Sequence, residues 1–345
     1  MSEQVKALQL LTNHEKDFSM DYTEKIDYSS LSTYMGCPRK FLFQYMMHLR
    51  PQGNSIHLVF GSCWHYGLEE SYKLLQADPK AVNPMDLTIH SIKAFNKLWA
   101  LDGAPLWKDE DLIFPKSPGH AANMYKAYWD RFMEMDSVKR DVLAVEAPFA
   151  IDLSHYGSHL PRYIGRIDLI LSDGDGIEIF DHKTAKAIYA ITPQTFENSF
   201  QTDGYLTAGR LFYDKIPKIT YRIALCQKSK IDFQPITISK RSSAIDHFLH
   251  DLIYYVNKIQ EDIKILEEDK ERCKDRADLL KSFYRCYGQS CTSFMSPCVY
   301  FDLCKMRNNP LAWFDKAPQG FHFNAWDPDE HDENMRKRLL TVEEK

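Results

Sequence analysis

Asp168, Asp181 and Lys183 are the residues of this chain best suited to do chemistry. They sit in two short stretches, GRIDLILSDGDG and IEIFDHKTAK. Each stretch reads as a β-strand, and the Asp-Gly-Asp-Gly between them has hairpin-turn chemistry. Closing that hairpin brings Asp168 beside the Asp181-His182-Lys183 end of the next strand. Asp181 and Lys183 are two apart, so both side chains leave the same face of the strand. Two carboxylates and an ammonium at one place are costly unless something uses them. A divalent metal that activates water on a phosphodiester is such a use. The run IEIF before Asp181 is apolar enough for a central strand, and Asp-His-Lys breaks it abruptly, as functional positions tend to do.

The surrounding pattern supplies elements to position these groups. Ser29 and Ser30 are N-cap candidates for a short helix, LSTYMG, ended by Cys37-Pro38. Pro38 suits the first turn of a second helix, RKFLFQYMM. Cys37 then lies at a helix N-terminus, where the backbone dipole favours a thiolate. Helices are expected in FGSCWHYGLEESYKLL, MDLTIHSIKAFNKLWA and HAANMYKAYWDRFMEM, and His65 and Glu69 share a face of the first of these. Strands follow in VLAVEAPFAIDL, RYIGRIDLILS and GIEIFDHKT, then one helix over FENSFQTDGYLTAGRLFY, then strands in KITYRIALCQ and IDFQPITISK. Residues 243–284 have helical spacing of apolar positions, and a cysteine-rich segment comes next. The order helix, sheet, helix, sheet, helix is a mixed α/β layout.

Composition narrows the classes. At 345 residues the chain can bury a large core as one domain with a helical subdomain. Every long apolar run is broken by charge, so none spans a bilayer. The N-terminal stretch MSEQVKALQLLTNHEKD has acidic residues and no signal-peptide core, which leads to the expectation of a cytoplasmic location. The net charge of −5 gives no global attraction to nucleic acid. Binding of that kind must rest on local basic groups: Arg39 and Lys40, Arg162 and Arg166, Lys183 and Lys186, or the stretch 228–241. The eight cysteines of a chain without a leader point away from disulfides. Cys286, Cys291, Cys298 and Cys304 crowd together, whereas Cys37, Cys63, Cys226 and Cys273 are scattered; clustering of that kind suggests ligation of a metal or cluster. No Gly-rich phosphate loop ending in Gly-Lys-Ser/Thr is present, so the chain is not itself a helicase.

Gly165-x-x-Asp168, a hairpin, then Asp181-x-Lys183-Thr184 resembles the PD-(D/E)XK nuclease signature in its RecB-like form. Gly61 with His65 and Glu69 resembles that form's helical His motif, in which the histidine is a further metal ligand. Val145-Glu146 resembles the opening strand, whose Glu supports the site. Gln201 to Tyr205 resembles the Gln-x-x-x-Tyr motif, whose side chains contact DNA or orient the catalytic Lys. The motifs occur in the family's order over roughly residues 29–305. The resemblance implies a restriction-endonuclease-like mixed central sheet flanked by helices, with a helical N-terminal part and a C-terminal cysteine-cluster region. It implies a site with Asp168, Asp181, Lys183, Gln201, Tyr205 and Glu146, and Mg²⁺ or Mn²⁺ held by His65, Asp168, Asp181 and the His182 carbonyl.

RecB-like nucleases, the CRISPR-associated adaptation nucleases and the AddB nuclease domain among them, often pair one N-terminal cysteine with three near the C-terminus around a [4Fe–4S] cluster. Cys37, in CPRKF, resembles the first, and Cys291, Cys298 and Cys304 resemble the final three. Six residues separate Cys291 from Cys298 where the family has a tight pair, so Cys286 could replace Cys291. Zinc is the chemical alternative for four thiolates. The expected organisation is an N-terminal arm over 1–25, a cluster-stapled nuclease domain over 26–310 and a tail over 311–345.

The implied activity is metal-dependent, end-dependent exonuclease cleavage of DNA, single-stranded or with free ends, in recombination, repair or phage DNA metabolism. A helicase or recombination protein would be its partner. A structure-specific endonuclease and a non-catalytic DNA-binding Fe–S scaffold are the competing classes.

Overall fold

A computed structural model describes residues 22–324, apart from 23, 54, 158–159, 175, 214–216, 273–279, 288, 293–295 and 307–315. The N-terminal arm, Cys273 and most of the C-terminal tail therefore lie outside the described residues. Two compact units emerge: one from the segments up to Gly53, Ala150–Ile164 and from Leu249 onward, the other from 54–149 and Gly165–Phe248.

In the first unit a short strand β1 (Lys25–Asp27) leads into helix α1 (Tyr28–Gly36). The N-cap is Asp27, not Ser29 or Ser30. Its carboxylate accepts from the Ser29 and Ser30 backbone N–H groups, and Ser30 closes a reciprocal capping box. A serine at the cap would leave the buried Asp27 carboxylate without those donors. Pro38 opens α2 (Pro38–Phe41), which widens into a π turn over Leu42–Met46 before strand β2 (Leu49–Pro51). β1 pairs in parallel with Arg162–Ile164, the opening of strand β4 (Arg162–Ser172). A strand at Phe321–Phe323 (β8), within the segment set apart by sequence as a tail, pairs antiparallel with β2.

The second unit holds the sheet that carries the chemistry. Helices α3 (Ile56–Ala77), α4 (Pro84–Asp102) and α6 (Pro118–Ser137) precede strand β3 (Asp141–Ile151), with a single turn, α5 (Glu110–Ile113), between α4 and α6. Asn83 caps α4 through a capping box and Ser117 caps α6, each followed by proline at the first helical position. β3 pairs with β4, and β4 turns back through 173–176 into antiparallel β5 (Ile177–Ala185), with Gly174 at φ +87° in the turn. β5 pairs in parallel with β6 (Lys218–Cys226) after a crossover, and β6 pairs antiparallel with β7 (Ile231–Ile238). The sheet is thus mixed and flanked by helices, as the sequence implied.

The crossover contains two helices where sequence predicts one: α7 (Thr192–Glu197) and α8 (Phe200–Tyr213). Thr202 accounts for the break, its hydroxyl donating to the Phe196 carbonyl at 2.6 Å as well as meeting Tyr221 at 2.7 Å. α3 packs on β5, α6 on β7 and α8 on β6. The last long helix, α9 (Ser242–Arg272), does not reach the predicted limit of 284, because residues 280–284 are non-helical. A final short helix, α10 (Phe301–Met306), carries Cys304.

Candidate functional site

The eight residues expected at the nuclease site all fall in the second unit. The alternation of β5 sends Asp181 and Lys183 out of one face: Lys183 Nζ donates to Asp181 Oδ1 at 3.0 Å. Asp181 is almost wholly buried, at 1 % exposure, whereas Lys183 keeps a third of its side chain exposed. The antiparallel pairing of β4 with β5 places Asp168 against the same strand end. Its Oδ2 accepts from the His182 backbone N–H at 2.9 Å and lies 3.2 Å from His65 Nδ1 on α3. His182 divides its work. Its backbone serves Asp168, while its imidazole is buried and meets the Tyr128 hydroxyl at 2.9 Å.

α8 supplies Gln201 and Tyr205, one turn apart, with Gln201 Nε2 donating to the Tyr205 oxygen at 3.0 Å. The Phe149 ring packs edge-on against Tyr205, with centroids 6.1 Å apart. That ring leaves no room at Gly165, where a Cβ would lie 2.5 Å from it. The glycine of the Gly-x-x-Asp motif is thus a packing requirement of the site.

Glu146 occupies a left-handed conformation, φ +51°, within β3. Only a few non-glycine residues adopt it, at a cost of about 1–3 kcal/mol, and such positions cluster at functional sites.

The electrostatics separate the carboxylates. Burial pushes Asp181 up to about 6; Lys183 opposes the rise and Asp168 adds to it. Burial also acts on Asp168, but His65, Lys183 and His182 outweigh it and hold the group below the ordinary carboxylate range. Burial, with Asp168 and Glu69, raises Glu146 well above its ordinary value. Burial opposes a charge on His65, yet Asp168 prevails and raises it. Burial takes His182 down to about 3, against the pull of Asp168 and with Arg222 assisting. Its ring is neutral at physiological pH. The Tyr205 hydroxyl stays protonated, raised by burial and by both aspartates.

Asp181 Oδ2 tests whether this set fits a cation. It is buried and 2.8 Å from Lys183 Nζ, but outside hydrogen-bonding geometry, so it receives no hydrogen bond. A carboxylate oxygen left in that condition beside a second carboxylate fits a hard cation. The ligand set is not preassembled: among the described residues no three His, Cys, Asp or Glu side chains stand at metal-ligand spacing. His65 instead points Nδ1 at Asp168.

Sequence reasoning missed the groups behind His182: Tyr72, Tyr128, Asp136 and Arg222. The one legible signal was an arginine in the middle of the largely apolar strand KITYRIALC. The sequence also offered basic groups for nucleic-acid contact that the fold commits elsewhere: Arg39 is buried and donates from Nε to the Phe283 carbonyl at 2.8 Å, and Lys240 pairs with Asp203.

In the first unit Cys37, Cys286, Cys291, Cys298 and Cys304 line one cavity of about 240 Å³, together with Arg285 and Tyr300. The loop is closed by Cys298 N–H donating to the Cys291 carbonyl at 2.8 Å, and Ser290 ties it to the Gly36 carbonyl at 2.7 Å. Five thiols thus line one space, but no three of them stand at metal-ligand spacing. Cys63 and Cys226 are buried in the other unit, as packing residues.

A mixed sheet that sets two carboxylates and a lysine at neighbouring strand ends, beside a Gln–Tyr pair, defines a class of phosphodiester-cleaving enzymes. The chain belongs to the PD-(D/E)XK nuclease superfamily, whose sequence model matches residues 26–304. A solved structure named "Putative exonuclease" from Eubacterium rectale is similar over 85% of this chain and 98% of its own, at 12% identity and a TM-score of 0.38. The solved protein SSO0001 is similar over 73% of this chain and 83% of its own, at 12% identity and a TM-score of 0.28. No functionally curated protein matches the sequence. Among the described residues no helix is long and apolar enough to cross a membrane.

Proposed function

We propose that this nuclease is a metal-dependent DNA exonuclease of the RecB-like form, acting on single strands or free ends in recombination, repair or phage DNA metabolism. The observation that carries the reading is the convergence of Asp168, Asp181 and Lys183 on one strand end, next to Gln201 and Tyr205. Mg²⁺ or Mn²⁺ would be held by Asp168, Asp181, the His182 carbonyl and His65, a donor set of hard oxygens plus one nitrogen. When bound, the cation supplies Lewis-acid polarisation of the scissile phosphate and a more acidic attacking water. Lys183, steered by Asp181, holds that water or neutralises charge developing on the phosphate. Gln201 and Tyr205 meet the DNA or orient Lys183, and Glu146 supports the site from β3.

The cavity cysteines extend the proposal. Cys37, Cys291, Cys298 and Cys304 hold a [4Fe–4S] cluster, with Cys286 as the alternative to Cys291, and the cluster ties the two ends of the 26–310 nuclease domain. Free thiols at every described cysteine suit a reducing, cytoplasmic setting beside a helicase or recombination partner.

The test is protein purified anaerobically and assayed with Mn²⁺ or Mg²⁺ on end-labelled linear and closed-circular DNA. Linear DNA should be degraded from its ends, and Lys183→Ala should lower the rate by at least about 10²-fold with the melting temperature retained. Undiminished cleavage by Lys183→Ala refutes the site; cleavage of closed circles favours the endonuclease; a colourless zinc protein refutes the cluster.

A further inference from the structure

Arg222 lies in the middle of β6, 2 % exposed, in a strand buried from Ile219 onward. A buried guanidinium requires a carboxylate and a full set of acceptors. Asp136 on α6, wholly buried, takes a two-pronged contact from both terminal nitrogens. Phe132 and Phe180 stack on it, their ring centroids 4.4 and 4.2 Å from Cζ. The Tyr72 and Tyr128 oxygens accept from Arg222 Nη1 at 2.8 and 3.0 Å.

The hydrogens of this cluster have one consistent arrangement. Asp136 can only accept, so the single hydrogen of Tyr72 goes to its Oδ2, 2.6 Å away. Tyr72 then has only lone pairs for Tyr128, 2.7 Å away, and Tyr128 must donate to it. Tyr128, its hydrogen spent, can only accept from His182 Nε2 at 2.9 Å. Nη1 has two hydrogens for three acceptors, Asp136 Oδ2 and both phenols, so one of them is shared, but the direction of the two phenol hydrogens is still set from the Asp136 end. Nε2 therefore carries the ring hydrogen, and a second one on Nδ1 would be buried with no acceptor within hydrogen-bonding distance among the described residues. Nδ1 is left bare, 3.8 Å from Asp168 Oδ2.

We propose that Asp136, Tyr72 and Tyr128 form a positioning relay that holds His182 in its Nε2–H tautomer, keeping a ring hydrogen away from Asp168. Asp168 Oδ2 then takes the His182 backbone N–H on one side and remains an acceptor toward His65 and a cation on the other. The opposite tautomer would put a hydrogen on Nδ1, 3.8 Å from that oxygen, too far for a hydrogen bond but near enough to place a donor dipole beside it. Arg222 anchors the carboxylate end of the relay. These residues act through His182, and the inference rests on the reading of Asp168 as a catalytic carboxylate.

The test uses the full chain labelled with ¹⁵N-histidine, in EDTA, with His182 assigned by its loss in His182→Gln. Long-range ¹H–¹⁵N spectra should show the Nε2–H tautomer in the parent and a population of Nδ1–H in Tyr128→Phe. With Mn²⁺ and linear DNA, Tyr128→Phe should lower kcat by roughly 10-fold at unchanged KM, as loss of a group orienting a ligand does. Tyr72→Phe, one link further, should change kcat in the same direction. An Nδ1–H parent overturns the relay even if Tyr128→Phe does not fold; so does Tyr128→Phe with the parent's tautomer or the parent's kcat. A parent with Nε2–H that does not cleave DNA under any divalent metal keeps the relay and overturns the nuclease reading instead.

Discussion

Asp168 and Asp181 are chemically the same residue type held in opposite protonation tendencies by their neighbours. Asp181 sits at the buried end of β5 and is pushed up to about 6, by burial first. Asp168 is drawn below its ordinary value because His65, Lys183 and His182 together outweigh burial. The consequences for stability run in opposite directions. For Asp181 the folded value exceeds the unfolded one, so its contribution is full below about pH 4 and is lost as pH rises through about 6. For Asp168 the folded value is lower, so its contribution is present above about pH 4 and is lost on further acidification. Asp181→Asn should therefore flatten the fall in stability between pH 4 and 7 and raise stability at pH 8 by on the order of 2 kcal/mol. Urea unfolding in EDTA across that range measures it. Glu146, also raised, adds to the same slope in both proteins, so the difference between them is the readout. An unchanged slope in Asp181→Asn would show that its carboxylate bears no buried charge penalty.

The elements were largely legible because their patterns are local. β4 appears at its predicted bounds, and the Asp-Gly-Asp-Gly hairpin joins β4 to β5 as expected. Departures occur where a tertiary partner overrides local preference. β1, β2 and β8 are three residues each, too short to carry an alternation, and exist through their pairing. The α7–α8 break follows from Thr202, which donates across it to the Phe196 carbonyl and also meets Tyr221 on β6. Gly165 shows how an element serves the site: its missing side chain admits Phe149, which backs Tyr205. Gly165→Ala should destabilise the fold by about 1–3 kcal/mol, the usual penalty for overpacking. It should also reduce cleavage by displacing Tyr205, whereas Gly174→Asn, in the turn, should leave cleavage unchanged. Thermal melts and rates on linear DNA measured together check both; parental stability in the Gly165→Ala variant would contradict the packing account.

At the scale of the whole molecule, the cysteines separate into two populations. Cys37, Cys286, Cys291, Cys298 and Cys304 are partly exposed around one cavity, while Cys63 and Cys226 are buried. Burial raises the Cys304 thiol to about 11, with Arg39 opposing, and raises Cys291 as well, so alkylation of these two should be slow at neutral pH. Native iodoacetamide treatment of metal-free protein at about pH 8.5, near the ordinary thiol value, should modify Cys37, Cys286 and Cys298 readily, Cys291 and Cys304 more slowly, and spare Cys63 and Cys226, read by peptide mass spectrometry. Protection of the cavity set after iron–sulfur loading should follow. Early labelling of Cys63 would contradict the burial on which the separation rests.

The chain by itself determined the type of chemistry and most of the element order, because carboxylates two or more residues along a strand and apolar periodicity are short-range signals. Asp168, Asp181, Lys183, Gln201 and Tyr205 could be read from their spacing and motif order, and Cys37 with the later cysteines from motif resemblance. Only the tertiary structure decided which charge each aspartate bears, since that depends on burial and on His65, brought in from α3. It also brought Tyr72, Tyr128, Asp136 and Arg222, from α3, α6 and β6, onto the back of His182. Their contacts span up to 150 positions of sequence, and no local pattern encodes a hydrogen bond between residues so far apart.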